Sequence, residues 1–138
     1  ALSPRSKKGR EDLYHAAFLS YQFQDYDGAV RKFKKFIKSH PRSGLAKDAQ
    51  WHLAWLQYLR NDFKGALAKF EELKKNLKNR RNTDTLADRL MYWTAMAQVR
   101  LNRPEEARPH FEAIMARNAF SYYGLAAQAR LASLPAPK

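Results

Sequence analysis

The 138-residue chain contains no cysteine, which excludes a disulfide framework and a thiolate metal site and leaves no redox chemistry from which to read a compartment. Glycine and proline are scarce, five and six residues, and lie mostly at the ends and in turns, so long windows stay free of helix breakers. No run approaches the ~18 apolar residues of a membrane span, and the opening ALSPRSKKGR lacks the apolar centre of a signal peptide. Strand-like alternation is hard to find. Acidic residues are also short: thirteen Asp and Glu stand against twenty-six Lys and Arg, a formal net charge of +13. These shortages point to an all-α chain with a strong positive field and one modest core.

What is present is a pattern written three times. DYDGAVRKFKKFIKSHP from Asp25, DFKGALAKFEELKKN from Asp62 and RPEEARPHFEAIMARN from Arg103 align on Ala29, Ala66 and Ala107. Each alanine is followed four residues later by Phe33, Phe70 or Phe111, and seven residues later by Phe36, Leu73 or Ile114. Those offsets share one helical face. Twelve residues earlier stand Ala17, Ala54 and Ala95, and fifteen earlier Tyr14, Trp51 and Tyr92, so a second helix precedes each copy. The copies are spaced by 37 and 41 residues. Helical pairs at such a period predict a stacked solenoid, in which neighbours cover the apolar face that no pair buries alone.

Helices are expected near 10–23, 26–39, 45–60, 63–77, 84–101, 104–117 and 121–133. Asn61-Asp62 and Asn102-Arg103 make tight turns between partners, and residues 39–44 separate one pair from the next. The basic segment 1–9 is expected to be disordered, residues 10–134 to form the repeat domain, and 135–138 to be a linker or tail leading elsewhere. The order small residue, turn aromatic (Tyr26, Phe63), alanine, phenylalanine, large apolar residue and Pro41 resembles the tetratricopeptide repeat. The third copy departs from it: Pro104 replaces the turn aromatic, in a first-turn position where proline is tolerated. The resemblance implies a right-handed α-α superhelix of three hairpins plus a C-terminal helix. The spacing in excess of the ~34-residue repeat falls to loops, chiefly residues 76–84.

In such a stack the first helix of each pair lines the concave wall. By repeat position the groove would be lined by Tyr14, Phe18 and Tyr21, by Trp51, Trp55 and Tyr58, and by Tyr92, Met96 and Val99. Aromatic side chains supply contact area for a peptide, a helix or a sugar face, or simply pack between repeats. A basic surface is expected from Arg31, Lys35 and Lys38 on one helical stripe and from Lys74, Lys75, Lys78, Arg80 and Arg81 at the exit of the second pair. The second group also complements a helix C-terminus.

Signs of catalysis are missing. His15 and His52 occupy equivalent repeat positions, which suits a structural filler; His40 and His110 have no partner four residues on that suits a metal. Glu71-Glu72 and Glu105-Glu106 are sequence neighbours that project differently from a helix, unlike the paired carboxylates of glycosidases. No nucleophile elbow, phosphate loop, HExxH pattern or dinucleotide fingerprint is present. No metal, no cofactor and no specific nucleic-acid partner is expected; charge alone would give salt-steep, sequence-blind binding.

The ending NAFSYYGLAAQARLASLP, with Tyr122, Tyr123, Leu125, Ala126, Ala129, Arg130 and Leu131, resembles the segment that closes the superhelical region of soluble lytic transglycosylases. Tyr92-Trp93, Ala95, Ala107-Arg108, Phe111 and Ile114 extend the likeness over roughly residues 45–134. It implies a periplasmic, peptidoglycan-associated parent in which this helical domain scaffolds a separate catalytic domain. The Glu-Ser pair of that catalytic domain is absent: every glutamate here is followed by Asp, Glu, Leu or Ala. The chain is therefore expected to be non-catalytic, with a catalytic domain of the same parent or a partner peptide as its contact. A free-standing tetratricopeptide adaptor of the cell envelope is the alternative.

Overall fold

The computed structural model describes residues 7–76 and 84–136. Among the described residues the chain forms seven α-helices and no strand, an all-α, tetratricopeptide-like architecture. It divides into two compact units, residues 1–60 and 61–138.

The first unit holds α1 (Lys7–Gln22), α2 (Tyr26–Ser39) and α3 (Gly44–Leu59). Helix α1 starts three residues ahead of the expected position: Pro4 is the nearest breaker upstream, and Gly9 is buried inside the helix rather than ending it. Residues 1–6 of the expected disordered segment lie outside the described residues. Helix α2 begins where the Asp25 carboxylate accepts the Gly28 N–H at 3.0 Å and stops at His40, just before Pro41. Such a cap stabilises a helix by about 1 kcal/mol. A Cβ on Gly28 would lie 2.2 Å from that carboxylate, so the cap needs glycine there. Helix α3 is capped by Ser43, whose hydroxyl accepts the Leu45 N–H. The core joins Ala17 of α1, Ala29, Phe33 and Phe36 of α2, and Ala46, Ala49, Leu53 and Leu56 of α3.

The second unit holds α4 (Phe63–Lys75), α5 (Asp84–Arg100), α6 (Pro104–Asn118) and α7 (Tyr122–Ser133). Asp62 caps α4 through the Gly65 N–H at 3.0 Å, as Asp25 does for α2. Helix α6 has no side-chain cap; Pro104 in the first turn with Glu105 and Glu106 replaces it, a fixed φ and two carboxylates at the positive end of the helix dipole. The Arg100 guanidinium lies 4.9 Å from the Phe63 ring centroid, linking the end of α5 to the start of α4. Ser121 caps α7 through the Gly124 N–H. At Gly124 a Cβ would sit 2.0 Å from the Asn118 carbonyl oxygen, so glycine lets α7 approach the end of α6.

One backbone device recurs. Gln24, Asn61 and Asn102 are the non-glycine residues with positive φ among the described residues, at 63°, 67° and 66°. They stand at one repeat position, immediately before the N-cap residue of α2, α4 or α6. Asparagine tolerates this left-handed conformation, whereas Gln24 occupies it at greater cost. The two small residues of each repeat, Ala17 and Ala29, Ala54 and Ala66, Ala95 and Ala107, are all fully buried.

Candidate binding surfaces

Side chains expected to line a groove divide into a half-exposed set and a buried set. In the first unit His52 is the hub. Its ring stacks on Phe33 at 5.1 Å and 19°, and the rings of Phe18, Tyr21 and Tyr14 surround it at 5.6, 6.0 and 6.2 Å. Tyr14 also meets Phe33 and Phe36 edge-on. Tyr14, Phe18 and Tyr21 are half-buried, so each lends one side to packing and keeps the other accessible.

On α3 the spacing of four and then three residues puts Trp51, Trp55 and Tyr58 on one face. Trp51 stacks on Trp55 at 6.2 Å and 12°, and Trp55 on Tyr58 at 5.5 Å and 5°. The Trp55 indole N–H donates to the Tyr21 hydroxyl at 3.1 Å, tying the ladder to α1. Trp51 is buried, 8% exposed, while Trp55 and Tyr58 are half-buried.

In the second unit Tyr92 and Met96 are interior residues, 6% and 8% exposed. Tyr92 meets Phe111, Trp93 and Tyr123 at 5.7, 5.1 and 5.5 Å, and its hydroxyl accepts the Arg130 Nε–H at 3.3 Å. Burial pushes the neighbouring Tyr123 phenol above its ordinary value. Another buried polar group, Asp88, is held by the Arg117 guanidinium. Neither the Asp88 pair nor the Tyr92 link to Arg130 has a sequence signal, because partners 29 and 38 residues apart follow no helical spacing.

The basic residues behave differently. Arg31, Lys34, Lys35 and Lys38 are all exposed and fall at offsets of zero, three, four and seven along α2. Sequence reading omitted Lys34, which completes the row. Lys32 sits off the row and donates to the Ser20 hydroxyl at 2.7 Å. The acid on α2, Asp27, is engaged by Arg60 at 2.8 Å, and none of the four cations in the row forms an ion pair among the described residues. Lys74 and Lys75 are exposed in the last turn of α4, where they complement its dipole. Lys78, Arg80 and Arg81 lie outside the described residues.

No group of three or more potential metal ligands exists among the described residues. His110 is half-buried, and its Nδ1–H donates to the Glu106 carbonyl at 3.0 Å. Desolvation is the main reason its pKa is lowered, with nearby Lys74 acting in the same direction. No described helix is long and apolar enough to cross a membrane.

No curated protein matches the chain. A family model described as outer membrane lipoprotein, YfiO, matches residues 6–121, from the residue before α1 to the cap of α7. That is a different family from the lytic transglycosylases, and the match ends just before the helix on which the transglycosylase resemblance is strongest. With the helical hairpins in place across the matched residues, the chain belongs to the YfiO family of outer membrane lipoproteins.

Proposed function

We propose that the chain is a non-catalytic, tetratricopeptide-like protein-interaction module of the cell envelope, working on the periplasmic side, that holds a protein segment against the ring surface of α1 and α3. The observation that carries this reading is the ladder of Trp55 and Tyr58. Parallel rings half-buried on α3 are anchored by the Trp55 bond to Tyr21, giving a rigid aromatic surface that loses little entropy when a partner covers it. The accessible parts of Tyr14, Phe18 and Tyr21 extend that surface on the same unit. Family membership supports a helical scaffold in the envelope. Trp51 would act from within, as packing behind the surface, and Tyr92 and Met96 as interior packing of the second unit.

A peptide-display library tests the proposal. Selected peptides are expected to bind the purified chain with micromolar affinity and to lose about tenfold on Trp55→Ala or Tyr58→Ala, the scale of an interface residue contributing ~1.4 kcal/mol. Tm recorded on each variant separates lost binding from lost folding. Selection of no peptide, or peptides indifferent to both substitutions in folded protein, would sink it.

A second reading, the scaffold of a peptidoglycan lytic transglycosylase, is favoured by α7. Tyr123 and Arg130 of that helix meet Tyr92, so the resembling residues form one contact set. A catalytic reading frame following Lys138 in the gene, with anhydro-product release by the whole protein, would support it over the free-standing adaptor.

A further inference from the structure

The repeat supplies its own control for the cationic row on α2. Shifting by one repeat carries Arg31, Lys34, Lys35 and Lys38 onto Ala68, Glu71, Glu72 and Lys75 of α4, and by a second onto Pro109, Glu112, Ala113 and Ala116 of α6. These helices bury the same positions, Ala29, Ala66 and Ala107 with Phe33, Phe70 and Phe111. The fold therefore accepts neutral or acidic residues where α2 has Arg31, Lys34 and Lys35; only Lys38 meets a cation, Lys75, and that on α4 alone. On α2 the charges are also unfavourable neighbours, since residues three and four apart on a helix repel when they carry the same sign. From residue 28 to residue 47 the chain has seven Lys and Arg and no acid. The helix dipole accounts for Lys38 in the last turn, but neither packing nor local electrostatics accounts for Arg31, Lys34 and Lys35.

We infer that the outer face of α2, through Arg31, Lys34, Lys35 and Lys38, is a docking surface for the anionic headgroups of a phospholipid bilayer. The helix holds four charges in a line about 10 Å long, all exposed and free of ion pairs among the described residues. Charge complementarity selects a polyanion. A planar one is favoured over nucleic acid, because α2 has no exposed aromatic on which bases could stack. The exposed part of α2 also has no large apolar residue, so the helix would rest among headgroups rather than insert. The family description, outer membrane lipoprotein, places a bilayer within reach of its members.

The test is co-sedimentation of the full chain with vesicles of phosphatidylcholine alone and of phosphatidylcholine mixed with phosphatidylglycerol. Two variants with the same change in net charge are compared. One neutralises the row (Arg31→Gln, Lys34→Gln, Lys35→Gln, Lys38→Gln); the other neutralises four exposed cations elsewhere (Lys8→Gln, Lys47→Gln, Lys64→Gln, Lys75→Gln). Binding is expected only to the anionic vesicles and to weaken as salt is raised. Each cation near an anionic surface contributes about fivefold, the equivalent of ~1 kcal/mol. The row variant should therefore lose on the order of several hundredfold and the control variant under about tenfold. Circular dichroism is expected to show unchanged helicity in both. Equal losses in the two variants would assign the effect to net charge and overturn the proposal. Equal binding to uncharged vesicles, or binding to soluble polyphosphate but not to anionic vesicles, would overturn it too.

Discussion

The two units repeat one contact almost without change and differ in nearly everything around it. Tyr14 and Phe33 meet at 5.7 Å and 69° in the first unit; Tyr92 and Phe111 meet at 5.7 Å and 66° in the second. Yet α2 is capped by Asp25 and presents a cationic row, whereas α6 starts on Pro104 without a side-chain cap and contains Pro109. Around the shared contact the first unit assembles rings about His52, and the second encloses Tyr92 beneath α7. The repeat thus specifies inward positions, where one lost ring leaves a cavity, and constrains outward ones weakly. Function should be sought where repeats disagree on the outside.

Attacking the shared contact gives the largest expected effect. Phe33→Ala and Phe111→Ala should each destabilise by about 3–5 kcal/mol, because both rings are fully buried. Denaturant unfolding monitored by tryptophan fluorescence measures both. A large cost at one and a small cost at the other would show that the two environments are not equivalent.

The helix starts sharpen the comparison at an intermediate scale. Asp25→Ala and Asp62→Ala should each cost about 1 kcal/mol, and Arg103→Asp should recover part of that amount by supplying the cap α6 lacks. If Arg103→Asp lowers Tm, Pro104 and its two glutamates already satisfy that terminus.

Turn positions come next. Gln24→Gly should stabilise by about 0.5–1 kcal/mol by relieving the left-handed backbone, while Asn61→Ala and Asn102→Ala should destabilise by a similar amount. Gln24→Gly leaving Tm unchanged would mean that its side chain contributes something a glycine cannot.

The smallest effect is electrostatic. Burial lowers the His110 pKa below its ordinary 6.5, so on acidification the unfolded chain takes up this proton first. The His110 contribution is complete above the unfolded value and is lost as pH falls through it toward the lowered folded value. Unfolding curves of wild type and His110→Asn should therefore converge on acidification through that range. Parallel curves would contradict this.

Much of this was legible from residue spacing. The recurring alanines and phenylalanines gave the helical pairs, and the observed helices fall within about three residues of the expected ones, as such boundaries do. The turn role of Asn61 and Asn102 was legible from residue type, since asparagine tolerates positive φ; that of Gln24 was not, since only equivalence to those two marks it. The residues expected to line a groove share helical faces, but their depth was not legible. Spacing places Tyr92, Trp51 and Trp55 on corresponding stripes, while burial depends on partners that helical periodicity does not encode, such as Arg130 on Tyr92. Lys34 was passed over because it breaks no apolar pattern, and its place in the row matters only once its neighbours are seen to lack counter-charges.

Melting an exchanged face tests most directly whether the inward register alone carries the fold. Arg31→Ala, Lys34→Glu and Lys35→Glu together give α2 the outer residues of α4. Full helicity with a Tm equal to or above that of the parent chain is predicted, since repelling pairs are replaced by attractive ones. A fall of several degrees, or loss of helicity, would show that the outward face is part of what holds the hairpin together.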